Sequence, residues 1–146
     1  MQITSPNFQH QQNIPRKFTC QGEDISPELN ISDVPKNTAS LALISDDPDA
    51  PNGDWVHWLI WNIAPETSSI AEGTDNSYAT QGITSFGTSG YGGPCPPFGE
   101  HRYFFKLFAL DKMLDIPPSS KKQDLIKAMQ GYIIDEAVIM GKYKKI

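Results

Sequence analysis

Three apolar runs set the pattern of this chain. Residues 40–45 read Ser-Leu-Ala-Leu-Ile-Ser, apolar between turn signals. Their short length and the Asp-Pro that follows favour a buried strand over a helix. The second run is Trp55–Ile63. Its two-residue alternation puts Trp55, His57, Leu59 and Trp61 on one face and Val56, Trp58 and Ile60 on the other. A strand apolar on both faces is covered on both, so this one is predicted to be central. In the third run, residues 101–110, His101, Tyr103, Phe105, Leu107 and Ala109 share a face, while Arg102, Phe104, Lys106, Phe108 and Leu110 share the other. Trp58, Trp61, Phe104 and Phe108 are expected in the core.

The rest of the chain is β-prone and heavily punctuated. Residues 17–20 read as a strand, 21–24 as a turn, and 34–37 as a further turn. Residues 64–100 carry little helix signal and many Gly and Pro, a long excursion of the kind that usually serves function in a compact domain. A helix is predicted from about residue 119, with a serine N-cap and Leu125, Met129, Ile133 and Ala137 at four-residue steps. Gly131 inside it costs about 1 kcal/mol against Ala and marks a place to break. Residues 138–144 alternate as a closing strand. The class is mostly β with one helix in the C-terminal region, and 146 residues suit one domain, 1–146, with a single core.

Composition narrows the function classes. The net charge is −5, and the basic residues cluster only at Lys142, Lys144 and Lys145, so no nucleic-acid-binding face is expected. The first residues lack the charged and apolar regions of a secretory signal, and no apolar run is long enough to span a bilayer. Both point to a cytoplasmic protein without a transmembrane segment. In that reducing compartment Cys20 and Cys95 are expected as free thiols, and no C-x-x-C spacing suggests a metal.

The chemistry concentrates at two strand starts. Asp46, Asp47, Asp49 and Asp54 lead, with two prolines, into the strand that carries His57. The Gly/Pro-rich loop at 90–99 leads into the strand that opens with His101 and Tyr103. With these strands as neighbours, the face has a polar mouth over an apolar floor, the layout of a small-ligand pocket. Glycine N–H groups with imidazole and phenol donors favour an anion. Competing accounts remain open. The histidines could be satisfied core residues, and the aspartates could cap turns. Alternatively, Asp47 or Asp49 with His57 or His101 could supply the acid and base of a hydrolase acting on phosphoesters or peptides, with or without a metal. No H-E-x-x-H, G-x-S-x-G, Walker or dinucleotide motif is present. Cys95, flanked by prolines, reads as pocket lining rather than as a reactive thiol.

Three motifs carry a resemblance: Asp47-Pro48-Asp49-Ala50-Pro51, then Trp55-x-His57-Trp58, then Gly92-Gly93-Pro94-Cys95-Pro96-Pro97 running into Gly99-Glu100-His101-Arg102-Tyr103. Together they resemble the phosphatidylethanolamine-binding protein family, also called Raf kinase inhibitor proteins, in its small bacterial and archaeal branch. The resemblance implies a central antiparallel sheet packed on a second, smaller sheet with peripheral helix. It implies a non-enzymatic pocket for phosphate, acetate or a phosphorylated headgroup, lined by Asp47, Pro48, Trp55, His57, Gly93, Pro94, His101 and Tyr103. No cofactor and no metal are expected. The resemblance is compatible with a protein partner such as a kinase or protease and with a homodimer. Val56 stands where many eukaryotic members carry another histidine, so one side of the expected pocket is less polar.

Overall fold

Every residue of β3 (Ser40–Asp47) is buried, and its side chains alternate between two apolar surroundings. A strand of that kind belongs in the middle of a covered sheet. In a computed structural model, which describes residues 1–75 and 77–146, it does lie there. It pairs antiparallel with β4 (Trp55–Ile63) on one side and β7 (Glu100–Leu110) on the other. Beyond β4 lies only the two-residue β6 (Thr80–Gln81), and beyond β7 lies β8 (Ile133–Lys144), giving the order β6-β4-β3-β7-β8. Trp55–Ile63 is covered on both faces and flanked on both sides, as predicted, but the middle position belongs to residues 40–47.

A second antiparallel sheet holds β1 (Gln2–Thr4), β2 (Leu29–Ser32) and β5 (Ser69–Ile70) in the order β1-β2-β5. It covers one face of the large sheet: Ile3, Leu29, Ile31 and Ile70 meet Leu41, Leu43, Trp58, Phe105 and Leu107. The other face is covered in part by the helix α1 (Lys122–Met129), whose Leu125 and Met129 meet Ile44, Leu59 and Trp61. Among the described residues the protein is mostly β, with two antiparallel sheets and one α-helix, as the sequence implied. No helix among the described residues is long and apolar enough to cross a membrane.

Four local expectations are corrected. Residues 17–20 form no strand. Arg16–Phe18 is a 3-10 turn, closed by Phe18 N–H to the Pro15 carbonyl and Thr19 N–H to that of Arg16, with Phe18 driven into the core.

The helix is shorter than its apolar spacing suggested. It ends at Met129, Gly131 follows at φ +84°, a left-handed value that favours glycine, and Ile133 and Ala137 belong to β8. Pairing of β8 along nearly all of β7 overrides the four-residue period. Its N-cap is Lys121 rather than a serine; the Lys121 N–H is taken by the Asp124 carboxylate at 2.9 Å.

Cys20 and Cys95 are joined in a disulfide, with Cα atoms 5.5 Å apart. The turn at 16–22 brings the two segments together, and they are also joined by Cys20 N–H to the Pro94 carbonyl (3.1 Å), Gly93 N–H to Asp24 (2.8 Å) and the Tyr91 hydroxyl to the Phe18 carbonyl (2.7 Å). The free-thiol expectation followed from the assumed reducing compartment, and the bonded pair corrects it.

The fourth correction concerns side-chain direction in β4. Ser45 pairs with Trp58, but the next residue, Asp46, pairs with Val56, so His57 is an extra residue in a β-bulge. Alternation breaks there. Trp58, Ile60 and Ile63 face the smaller sheet, whereas Val56, Leu59 and Trp61 face the helix side. The bulge lets His57 lie against Tyr103 while its neighbour Trp58 still enters the same core.

Candidate functional site

β4 and β7 both run antiparallel to β3, so both begin at the end where β3 finishes. The two histidine-bearing strands are therefore separated by β3 rather than adjacent as expected, and what stands between them is Asp47. A cavity of about 320 Å³ opens at this end of the sheet. Its inner wall carries Asp47, His57, His101 and Tyr103, all buried. Ala50, Pro51, Trp55, Phe86, Cys95, Pro96 and Pro97 complete it.

Each imidazole is held through Nδ1. His57 Nδ1 lies 2.6 Å from the Gly92 carbonyl oxygen. A carbonyl only accepts, so Nδ1 carries the proton and donates, leaving Nε2 as the nitrogen open to a ligand. The Gly92 N–H returns a bond to the His57 carbonyl at 3.0 Å, which clamps this loop to the strand. His101 Nδ1 lies 2.7 Å from Asp47 Oδ2, again leaving Nε2. The other Asp47 oxygen accepts the Asp49 N–H at 2.7 Å, fixing the carboxylate at the head of the turn. The His57 and Tyr103 rings meet edge to face at 5.2 Å.

Burial, opposed by the Gly92 carbonyl and nearby aspartates, moves the His57 pKa below its ordinary 6.5. The imidazole is therefore neutral near pH 7. Burial also pushes the Tyr103 phenol well above its usual value, an effect strengthened by the Asp47 charge, so its hydroxyl keeps its proton.

The four carboxylates of the 46–54 segment have parted. Only Asp47 reaches the cavity. Asp46, the preceding strand residue, points to the opposite face and pairs with Lys106 (3.1 Å) and Lys122 (2.7 Å). Asp54 pairs with Lys122, and Asp49 takes the Arg102 guanidinium through both oxygens at 2.9 Å. That pairing holds the Asp49 carboxyl below the usual carboxylate range.

Of the residues expected to line a pocket, Asp47, Trp55, His57, His101 and Tyr103 do meet around this cavity. Pro48, Gly93 and Pro94 do not form its wall. Gly93 and Pro94 turn toward the 18–24 segment, held by the Asp24 carboxylate and the Cys20 N–H respectively. Ala50, Pro51, Phe86, Pro96 and Pro97 were not anticipated. The signal for Phe86 was an aromatic residue at the tip of the Thr84-Ser85-Phe86-Gly87-Thr88 turn, inside the excursion already flagged as functional.

A family model described as phosphatidylethanolamine-binding protein matches residues 4–144. The chain belongs to the phosphatidylethanolamine-binding protein family. Its relatives include a UPF0098 protein of Methanothermobacter thermautotrophicus, 44% identical over 150 residues and covering 99% of each chain. Another, from Chlamydia trachomatis, is 45% identical over 150 residues, also covering 99% of each. Among solved structures, a C. trachomatis protein described as a phosphatidylethanolamine-binding protein homolog superposes with a TM-score of 0.96 at 44% identity, covering 99% of this chain and 97% of its own. E. coli YbcL, described as a member of the mammalian family, superposes at 0.92 with 29% identity, covering 99% of this chain and 98% of its own.

In this family member the end of the sheet can present two imidazole Nε2 atoms and a phenol around one small volume, with a buried carboxylate behind one imidazole. Neutral, the imidazoles accept hydrogen bonds. Protonated, they donate.

Proposed function

We propose that this protein binds a small anion or phospho-ligand, such as phosphate, acetate or a phosphorylated headgroup, in the cavity at the end of β3. It does no chemistry on the ligand, and the bound state modulates a protein partner of the kinase or protease kind. The observation that carries this reading is the shared state of the two histidines. Each has Nδ1 committed to a fixed acceptor and offers Nε2 to the same cavity. An anion entering there draws protons onto those nitrogens, and each imidazolium then gives it a charge-assisted hydrogen bond.

Calorimetric titration with phosphate tests the assignment. Replacing both His57 and His101 by Ala should abolish measurable binding, and an unchanged affinity would overturn it. Affinity should also weaken between pH 5 and 8, because proton uptake accompanies binding. A flat profile would assign the site to backbone N–H groups alone.

The hydrolase alternative draws on the Asp47–His101 hydrogen bond, which is an acid–base arrangement. It finds little further support, since Cys95 is tied in the disulfide and Tyr103 is held protonated. Its metal-assisted form has no cluster of three or more His, Cys, Asp or Glu ligands behind it among the described residues. Phosphate release from a phosphoester, lost in Asp47→Asn, would restore it.

A further inference from the structure

Phe86 is 45% exposed, an unfavourable setting for a phenyl ring that nothing in the core requires. Yet the fold fixes it firmly. The Thr84 N–H bonds to the Thr88 carbonyl (3.0 Å), the Thr84 hydroxyl to that same carbonyl (3.0 Å), and the Gly87 N–H to the Thr84 carbonyl (3.0 Å), closing a tight turn with Phe86 at its tip. That turn is bolted to β4 in both directions: Ser85 N–H to the Val56 carbonyl at 3.0 Å, and Val56 N–H to the Ser85 hydroxyl at 2.8 Å. The ring then lies edge to face with both Trp55 and His57, at 5.5 Å from each. A seat has been cleared for it, since a Cβ at Gly92 would stand 2.3 Å from the ring's Cε2. Gly92 is also the residue that orients His57 through its carbonyl.

The cavity is graded from the inside outward. Asp47, His57, His101 and Tyr103 lie at its inner end, while Phe86 and the half-exposed Trp55 stand at its mouth. Its volume of about 320 Å³ falls at the lower end of cavities that hold organic ligands, roughly 300–1,000 Å³, and exceeds what a bare inorganic anion fills. The polar end alone would serve an inorganic anion. The aromatic mouth has no role for such a ligand and a clear one for a ligand with a flat apolar body.

We propose that Phe86 is a specificity-determining residue that selects organic phosphates whose ester group is a flat apolar ring, holding that ring against itself and Trp55 while the phosphate meets the imidazoles. The inference rests on the anion-site reading above and goes beyond it, by naming the ligand class and the residue that chooses it. Aromatic rings prefer offset or edge-on neighbours, and such a contact adds selectivity beyond the area it buries.

The test is calorimetric titration of wild-type protein, Phe86→Ala and Phe86→Leu with inorganic phosphate, n-butyl phosphate and phenyl phosphate at one pH. Wild type should bind phenyl phosphate about threefold to tenfold more tightly than either of the others. In Phe86→Ala that preference should collapse, and in Phe86→Leu the advantage of phenyl over butyl phosphate should vanish although an apolar side chain remains. A wild type that binds all three alike, or a Phe86→Leu variant that keeps the aryl preference, overturns the proposal while leaving the anion site standing. A wild type that binds none of the three overturns the anion site and this proposal together.

Discussion

Removing the Cys20–Cys95 bond is the perturbation whose size the structure sets most directly. The two cysteines are 75 residues apart, so the bond closes about half the chain into one loop. In the chain-entropy model a loop of that length restricts the unfolded state by about 4.5 kcal/mol at 25 °C. The folded state should lose little by comparison. Cys20 N–H to Pro94, Gly93 N–H to Asp24 and the Tyr91 hydroxyl to Phe18 still join the same segments when the bond is cut. Reduction, or a Cys20→Ala/Cys95→Ala double variant, should therefore leave the native near-ultraviolet circular dichroism intact and lower stability by about 2–4.5 kcal/mol. For a chain of this size each kcal/mol moves the melting temperature by roughly 2–4 °C, so a drop of about 4–18 °C is expected. Thermal melts with and without reductant provide the assay, with thiol titration to confirm the starting redox state. Coincident melts of oxidised and reduced protein would refute the loop-entropy argument. Loss of the native signal on reduction would refute the claim that the hydrogen bonds hold the two segments unaided.

Two further outcomes are expected. Because burial lowers the His57 pKa below 6.5, the unfolded chain binds the proton more readily than the folded one, and stability should rise with pH through the window from the folded pKa up to about 6.5, then level off. His57→Gln should flatten that part of the profile in urea titrations between pH 5 and 8; an identical slope in both proteins would show that His57 is not the group responsible. Gly141→Ala would place a Cβ 2.4 Å from Ile14 Cγ1 and 2.8 Å from the Phe8 ring, in a fully packed core, and should cost about 1–3 kcal/mol by denaturant midpoint. No measurable loss would mean that the N-terminal segment yields at little cost.

The sequence determined the local facts. Apolar runs at 40–45 and 55–63 and the alternating run at 101–110 announced the strands of the large sheet: burial on both faces of the first two leaves almost no polar period to read, while Arg102 and Lys106 mark the less buried face of the third. The D-P-D-A-P and G-E-H-R-Y motifs announced the family. The histidines at two strand starts announced the polar end of the cavity, since an ionisable group placed in an apolar pattern must be satisfied by something specific.

Tertiary structure decided how these pieces meet. Only the strand order shows that β3 separates the histidine strands and that Asp47 stands between them, because pairing partners are a choice among distant segments that local pattern does not encode. Only the register shows the bulge at His57, since one extra residue reverses side-chain direction without altering composition. Pairing with β7 claimed Ile133 and Ala137 for a strand against their helical spacing, a non-local gain that outweighs local propensity. The disulfide and the place of Phe86 depend on loops that approach in space from positions far apart in the chain. Residue spacing is silent on such approaches, because closing a long loop is set by the sheets that anchor its ends.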